Sequence, residues 1–280
     1  MSIRTVARGL IRGVSWKNPV VSVVVHAVDP VDSVARRIRG RSHLPPYSVR
    51  ARSVGIRPDI GGGEFIRDGT TIGALLRKHA GLTPECKTLE IGCGCGRNAF
   101  ALADFLHDGN YTGMDIERVA LEGARNNPLL RKKGFIFDFL DIRNDAYNPQ
   151  GRYLASKYVL PYPDASFDVV FMNSVFTHML TDEVRNYARQ IARVLKPGGR
   201  CYLTAFLLDG RGEDEFPFHA QQHSYANETL PGIAVAYELG FLASTFAAHG
   251  MTSMAAPVLG STHGAAMRRD QDILVFTRAM

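Results

Sequence analysis

The residues best placed to do chemistry in this chain are Leu89-Glu90-Ile91-Gly92-Cys93-Gly94-Cys95-Gly96-Arg97, with Asp115 closing the next apolar run. The pattern reads as a strand that ends beside a carboxylate, turns through three glycines and opens a helix. Glycine accepts positive φ and lets a backbone approach a ligand closely. A helix start aims unpaired N–H groups at a negative group. Asp115, after Tyr111-Thr112-Gly113-Met114, can accept from both hydroxyls of a ribose. Together these features describe an adenosine-containing cofactor held at the strand ends of an α/β sheet. The dinucleotide fingerprint is G-x-G-x-x-G; here the spacing is G-x-G-x-G, and Glu90 sits two residues before the first glycine. A pyrophosphate would be repelled by that carboxylate, whereas a cationic amino group would be attracted.

The pattern E/D-x-G-x-G-x-G, matched by Glu90, Gly92, Gly94 and Gly96, resembles the first motif of class I S-adenosylmethionine-dependent methyltransferases. The resemblance implies that the glycine loop cradles the methionine part of the cofactor, with Glu90 at its amino end. Asp115 then holds the ribose with Ile116 beside it, and Asn173 lies at the cofactor's edge. Arg97 reaches either the methionine carboxylate or an acid on a neighbouring helix. Two further segments carry the likeness: Leu160-Pro161-Tyr162-Pro163-Asp164-Ala165-Ser166-Phe167-Asp168, ahead of a strand, and Leu195-Lys196-Pro197-Gly198-Gly199, ahead of the next. The motifs cover residues 87–207, and the resemblance extends faintly over 70–280. Tyr147-Asn148-Pro149 and Ser174-Val175-Phe176-Thr177-His178-Met179 are similar to a bacterial subgroup acting on small molecules and glycans. Family members place an adenine-contacting acid about where Ser156 stands here; Ser156 is preferred for that contact, and the earlier Asp141, within a stretch over 140–155 that reads as an insertion, is the alternative.

Methyl transfer from a sulfonium needs the acceptor atom in line with the S–CH3 bond, so positioning supplies much of the acceleration. A hydroxyl acceptor also needs a base for its proton. His178 is the leading candidate, since it follows a strand at the edge where ligands sit in open α/β sheets and is mostly neutral near pH 7. The alternative is a histidine that only packs beside the cofactor. His219 and His223, in the aromatic loop 216–224, are further candidates, and Tyr162 reads as structural. No Cys/His set or carboxylate cluster has ligand spacing, so no metal is expected; the expected cofactor is S-adenosylmethionine, with S-adenosylhomocysteine as product.

Alternating strands and helices must position these groups. Apolar runs predict strands at Lys87–Ile91, Tyr111–Asp115, Phe135–Phe139, Phe167–Met172 and Cys201–Leu207. Helices are predicted from Thr70 to Gly81, from Ala99 to Leu106, over Ile116–Asn126, after a Thr181 cap, and over Val235–Ala248. Late strands are expected near Met254–Leu259 and Asp272–Thr277. The fold class is therefore α/β: a doubly wound, Rossmann-like, mostly parallel seven-stranded sheet with an antiparallel edge strand.

The 280 residues, 45% hydrophobic and 21% charged, suit one domain with an extension. The net charge of +6 is carried by the N-terminal part. Residues 1–52 hold ten Lys/Arg against Asp29 and Asp32, while the rest is close to neutral. The division expected is a basic arm over 1–60, with a short helix from Asp32 to Arg39, and a methyltransferase domain over 61–280. Within the arm, residues 1–14 read as a basic amphipathic helix, suited either to peripheral contact with an anionic membrane or to docking on the domain. No apolar run is long enough to span a bilayer, no signal-peptide cleavage pattern follows an apolar core, and four scattered cysteines suit a reducing compartment, so a cytoplasmic location is expected. The acceptor expected is a small molecule, sugar or glycolipid hydroxyl. The segment Asn173-Ser174-Val175-Phe176 lacks the N/D-P-P-Y/F tetrapeptide of base-directed enzymes, which argues against nucleic acid. The rivals are an RNA or protein methyltransferase and a cofactor-binding regulator without turnover.

Overall fold

The computed structural model describes residues 19–208, 216–220, 223–229, 232, 234–260 and 271–280; the helix expected over 1–14 lies outside them. The described chain opens with three helices, α1 (Pro19–Ala27), α2 (Asp29–Ile38) and α3 (Tyr47–Val54), of which the sequence predicts only the second. A buried ion cluster ties them together. Asp32 accepts from Arg36 Nε at 2.7 Å, from both Arg50 terminal nitrogens at 2.8 and 3.2 Å, and from the Gly61 N–H at 2.8 Å. Burial pushes the Asp32 carboxyl up, but the Arg50, Gly61 and Arg36 donors together outweigh it and hold it below its usual range.

Helix α4 (Gly63–Ala80) begins well before Thr70, because both Asp59 oxygens accept its first N–H groups, those of Glu64 and Phe65, at 2.8 and 3.1 Å. It stops at Gly81, whose φ of +61° a glycine adopts without strain. Then follow β1 (Thr88–Ile91), α5 (Arg97–Leu102), β2 (Tyr111–Asp115), α6 (Arg118–Arg125), α7 (Pro128–Lys132) and β3 (Ile136–Phe139). The 140–155 insertion folds into a small parallel pair, β4 (Ile142–Arg143) with β5 (Tyr153–Leu154).

Strand β6 (Phe167–Met172) matches its predicted bounds. Its alternate residues divide between two cores, Val170 and Met172 on one face of the sheet, Val169 and Phe171 on the other. Helix α8 (Thr181–Val194) has Thr181 as its first helical residue rather than its cap; the Glu183 carboxylate accepts the Leu180 N–H at 2.8 Å instead. Strand β7 (Leu195–Leu207) starts earlier than Cys201 and carries Pro197-Gly198-Gly199 through a register shift against β6.

The remainder comprises β8 (Phe218–His219), β9 (His223–Tyr225), β10 (Val235–Tyr237), α9 (Leu239–Ala247), β11 (Met251–Ser253) and β12 (Asp272–Arg278). The helix expected over Val235–Ala248 is thus a strand and a shorter helix. Val235, Ala236 and Tyr237 are all fully buried, which suits a strand covered on both faces better than one turn of an amphipathic helix. The first late strand lies at Met251–Ser253, ahead of the expected 254–259.

Five parallel strands run β3-β2-β1-β6-β7. The far edge of β7 is shared: β12 runs antiparallel beside Arg200–Ala205, while β10 runs parallel at Phe206 and Leu207 and carries β9 and β8 beyond it. The antiparallel β11–β12 hairpin closes that side. The expected Rossmann-like sheet is what forms, with β8–β10 added to it. Among the described residues no helix is long and apolar enough to cross a membrane.

Candidate cofactor and acceptor site

The chain leaves β1 toward β2 on one side while β6 pairs on the other, so the sheet has its switch point between β1 and β6, where open α/β sheets bind ligands. A cleft opens there. Its floor and walls are apolar, with Ile91, Met114, Ile116 and Val175 among them, and it carries two carboxylates, Asp115 and Glu183. Burial raises both carboxyls above their usual range.

Asp115 projects from the end of β2 into this cleft. Its two oxygens accept the Gly94 N–H at 2.6 Å and the Glu117 N–H at 2.7 Å. Each oxygen keeps acceptor capacity for a ribose hydroxyl. Ile116 lines the cleft beside it.

All three loop glycines have positive φ, but the space each saves is occupied by protein. A Cβ on Gly92 would come within 2.5 Å of Val175, one on Gly94 within 2.6 Å of the Ser53 hydroxyl, and one on Gly96 within 3.1 Å of Ala124. Gly92 alone of the three also lines the cleft. The close approach the loop was expected to give a ligand therefore serves, at Gly94, the N-terminal arm: Ser53 on α3 accepts the Cys95 N–H at 2.9 Å. Gly92→Ala (φ +78°) is expected to destabilise the fold by about 1–2 kcal/mol from the backbone conformation alone, with the Val175 clash added. Urea unfolding measures it, and an unchanged midpoint would contradict the account.

Glu90 is not among the residues lining this cleft. Leu89 and Ile91 face the core on the cleft side, so the two-residue period of a strand turns Glu90 to the opposite face. There it is buried, accepting from Asn98 Nδ2 at 2.7 Å and from the Tyr111 hydroxyl. Burial pushes its carboxyl up to about 7 despite those donors. Glu90 thus supports the loop from behind and does not line the cleft. Arg97 opens α5; among the described residues its buried Nε has no hydrogen-bond partner and no ion pair forms with a neighbouring acid.

Asn173 lies just past β6, where its side chain accepts from Thr204 at 3.5 Å; it is Val175, two residues on, that lines the cleft. Ser156 sits in a short 3-10 turn next to the cleft residue Ala155, and Asp141 precedes the cleft residue Ile142 while accepting from Asn148 at 3.4 Å. Both adenine candidates therefore border the same rim. Tyr162 donates to Asp138 at 3.0 Å, away from the cleft, as a structural group does.

His178 ends a 3-10 turn beyond β6 and is held from two sides. Its Nδ1 lies 3.2 Å from the Gly232 carbonyl, which only accepts, so Nδ1 carries a proton; Nε2 lies 3.2 Å from the Tyr147 hydroxyl. Asn144, a cleft residue, binds this pair together. Its Oδ1 accepts the Ala146 and Tyr147 N–H groups at 3.1 Å, and its Nδ2 donates to the His178 carbonyl at 3.4 Å. His219 is paired with the Ser224 hydroxyl at 2.8 Å. His223 lies by Tyr225 and Tyr237, its imidazole pKa lowered by burial. Tyr147, Asn144, Glu183 and Ser53 were not predicted as site residues; Glu183 shows in sequence only as a first-turn acid.

Residues 89–201 match the family model described as a methyltransferase domain. Over 139 residues the chain is 35% identical to the 27-O-demethylrifamycin SV methyltransferase of Amycolatopsis mediterranei, a match covering 48% of this chain and 44% of that one. This chain carries a class I S-adenosylmethionine-dependent methyltransferase domain. A second relative, the phthiotriol/phenolphthiotriol dimycocerosates methyltransferase of Mycobacterium tuberculosis, is 34% identical over 113 residues, 40% of this chain and 35% of that protein. The matched part thus spans less than half the length of these curated relatives. Among solved structures, the Burkholderia thailandensis 1,6-didemethyltoxoflavin-N1-methyltransferase with bound S-adenosylhomocysteine shares the methyltransferase fold. Its TM-score is 0.51 at 18% identity, over 83% of this chain and 85% of that one.

The methyltransferase domain takes S-adenosylmethionine as its cofactor, and the residues present suit that group. A carboxylate at the end of β2 can accept from a ribose diol and the apolar floor can pack on an adenine ring, with Arg143 lining the cleft beside Asp115 and Glu183.

Proposed function

We propose that the protein transfers a methyl group from S-adenosylmethionine to a hydroxyl of a small molecule or glycan. The observation that carries this reading is the placement of His178 beyond β6, its Nδ1 3.2 Å from the Gly232 carbonyl and its Nε2 3.2 Å from the Tyr147 hydroxyl, next to the cleft residues Asn144 and Met179. The names of two relatives support an oxygen acceptor, the rifamycin enzyme and the O-methyltransferase rstn1 of Aspergillus nomiae.

When bound, S-adenosylmethionine supplies an electrophilic methyl group on a sulfonium. Asp115 accepts from the ribose, Ile116 packs on the adenine, and the backbone at Gly92 bounds the methionine end. Arg97, at the start of α5, turns its charge toward the methionine carboxylate, and Ser156 or Asp141 meets the adenine amino group. Gly94, Gly96 and Glu90 hold the loop's shape from behind, and Asn173 fixes the turn that presents Val175. His178 takes the acceptor's proton as the oxygen attacks, with the acceptor hydroxyl replacing Tyr147 at Nε2. The unit that does this is residues 61–280, with 1–60 as an arm clasping the glycine loop through Ser53.

The test is His178→Ala. Transfer of labelled methyl to the acceptor is expected to fall by about 10²- to 10³-fold, with S-adenosylmethionine affinity kept. Unchanged turnover would remove His178 from the base role.

A further inference from the structure

The first two helices turn hydrocarbon outward. Val20, Val23 and Val24 of α1 and Val31, Val34 and Ile38 of α2 are 59–80% exposed. At about 100° per residue all six fall on one stripe. Val28, between the helices, keeps right-handed helical angles (φ −80°, ψ −23°), so the phase carries across the junction. The stripe is not a core face left uncovered, since Val21, Val25 and Val28 already pack on Tyr47 and Ala51 of α3. It is a second apolar face, roughly 30 Å long at 1.5 Å per residue.

The charge around it has one sign. The only two acids of this stretch are used internally, Asp32 by Arg36 and Arg50, and Asp29 by the Ser48 N–H and hydroxyl at 2.8 and 2.6 Å. Arg37 and Arg39 stay exposed, and the sequence before α1 adds Arg4, Arg8, Arg12 and Lys17 with no acid. A second copy of this surface would set cations against cations, whereas an anionic bilayer supplies both the apolar medium and the opposite charge.

We propose that the α1–α2 face docks this protein on an anionic lipid surface, the aliphatic stripe entering the headgroup–acyl boundary and the arginines meeting lipid phosphates. The contact lies on the membrane and does not span it. It is separate from the cleft yet joined to it, because α3, on which α1 packs, carries both Ser53, bonded to the Cys95 N–H, and Arg52, 3.4 Å from Glu117.

The test is co-sedimentation of the full chain with vesicles of equal parts phosphatidylglycerol and phosphatidylcholine, and with phosphatidylcholine alone. The wild type is expected to bind the anionic vesicles, and high salt or neutral lipid to weaken binding. The pair Val24→Ser and Val34→Ser is expected to weaken it about tenfold or more, with melting temperature and S-adenosylmethionine affinity unchanged; Arg37→Glu should act in the same direction. Wild-type protein that stays in the supernatant overturns the proposal, as when residues 1–18 of the chain itself cover the stripe. So does a serine pair that binds like wild type, which would assign binding to another surface. A concentration-dependent dimer abolished by the serine pair, without vesicle binding, would make a second copy the occupant.

Discussion

Asp115→Ala is expected to weaken S-adenosylmethionine binding about 100-fold or more, because hydrogen bonds to a charged group contribute about 1.5–3 kcal/mol each and a ribose diol makes two. The same carboxylate holds the Gly94 and Glu117 N–H groups, so alanine also loosens the loop. Asp115→Asn separates the two effects: its remaining carbonyl oxygen can keep one backbone donor, while the second ribose hydroxyl loses its acceptor. Calorimetric titration reads the affinity and a thermal melt reads the fold. Alanine affinity within a fewfold of wild type, in a folded protein, would take the ribose away from Asp115.

Stability should fall as pH rises through the weakly acidic range, and Glu90→Gln should abolish that fall. The folded-state value of about 7 lies above the ordinary 4.5 because burial disfavours the charged carboxylate. Between these values the unfolded chain has released the proton while the folded chain retains it, so rising pH favours unfolding. The contribution is fully present below about 4.5, declines up to about 7 and is constant beyond. A difference of about 7 less 4.5 corresponds to roughly 3 kcal/mol. Glutamine is neutral throughout and can still accept from Tyr111, so the variant should match wild type at acid pH and exceed it by roughly that amount above neutrality. Urea unfolding at both ends of the range checks this; parallel curves would mean that Glu90 is not held protonated.

What the chain discloses before folding follows from the range of each interaction. Phe167–Met172 was legible because a run that is apolar at nearly every position suits a strand buried on both faces, and the structure divides those residues between two cores. The glycine loop and Asp115 were legible because their chemistry is local. The burial of Glu90 on the face opposite Leu89 and Ile91 follows from the two-residue strand period. The early start of α4 was missed because its cap is an upstream side chain, Asp59, reached across a turn. The pairs Tyr147–His178 and Ser53–Cys95 join residues far apart in sequence, and no spacing rule discloses them. Val235–Tyr237 was read as helix because three apolar residues before a helical pattern carry too little periodicity to separate the two.

The most direct test of methyl transfer to a hydroxyl is incubation of the purified protein with methyl-labelled S-adenosylmethionine and fractionated extract of its own organism. The account predicts label in one small-molecule or glycan pool, absent with boiled protein and stable to alkali as an ether is. Label in RNA or protein, or none at all while the protein binds the cofactor, would contradict it.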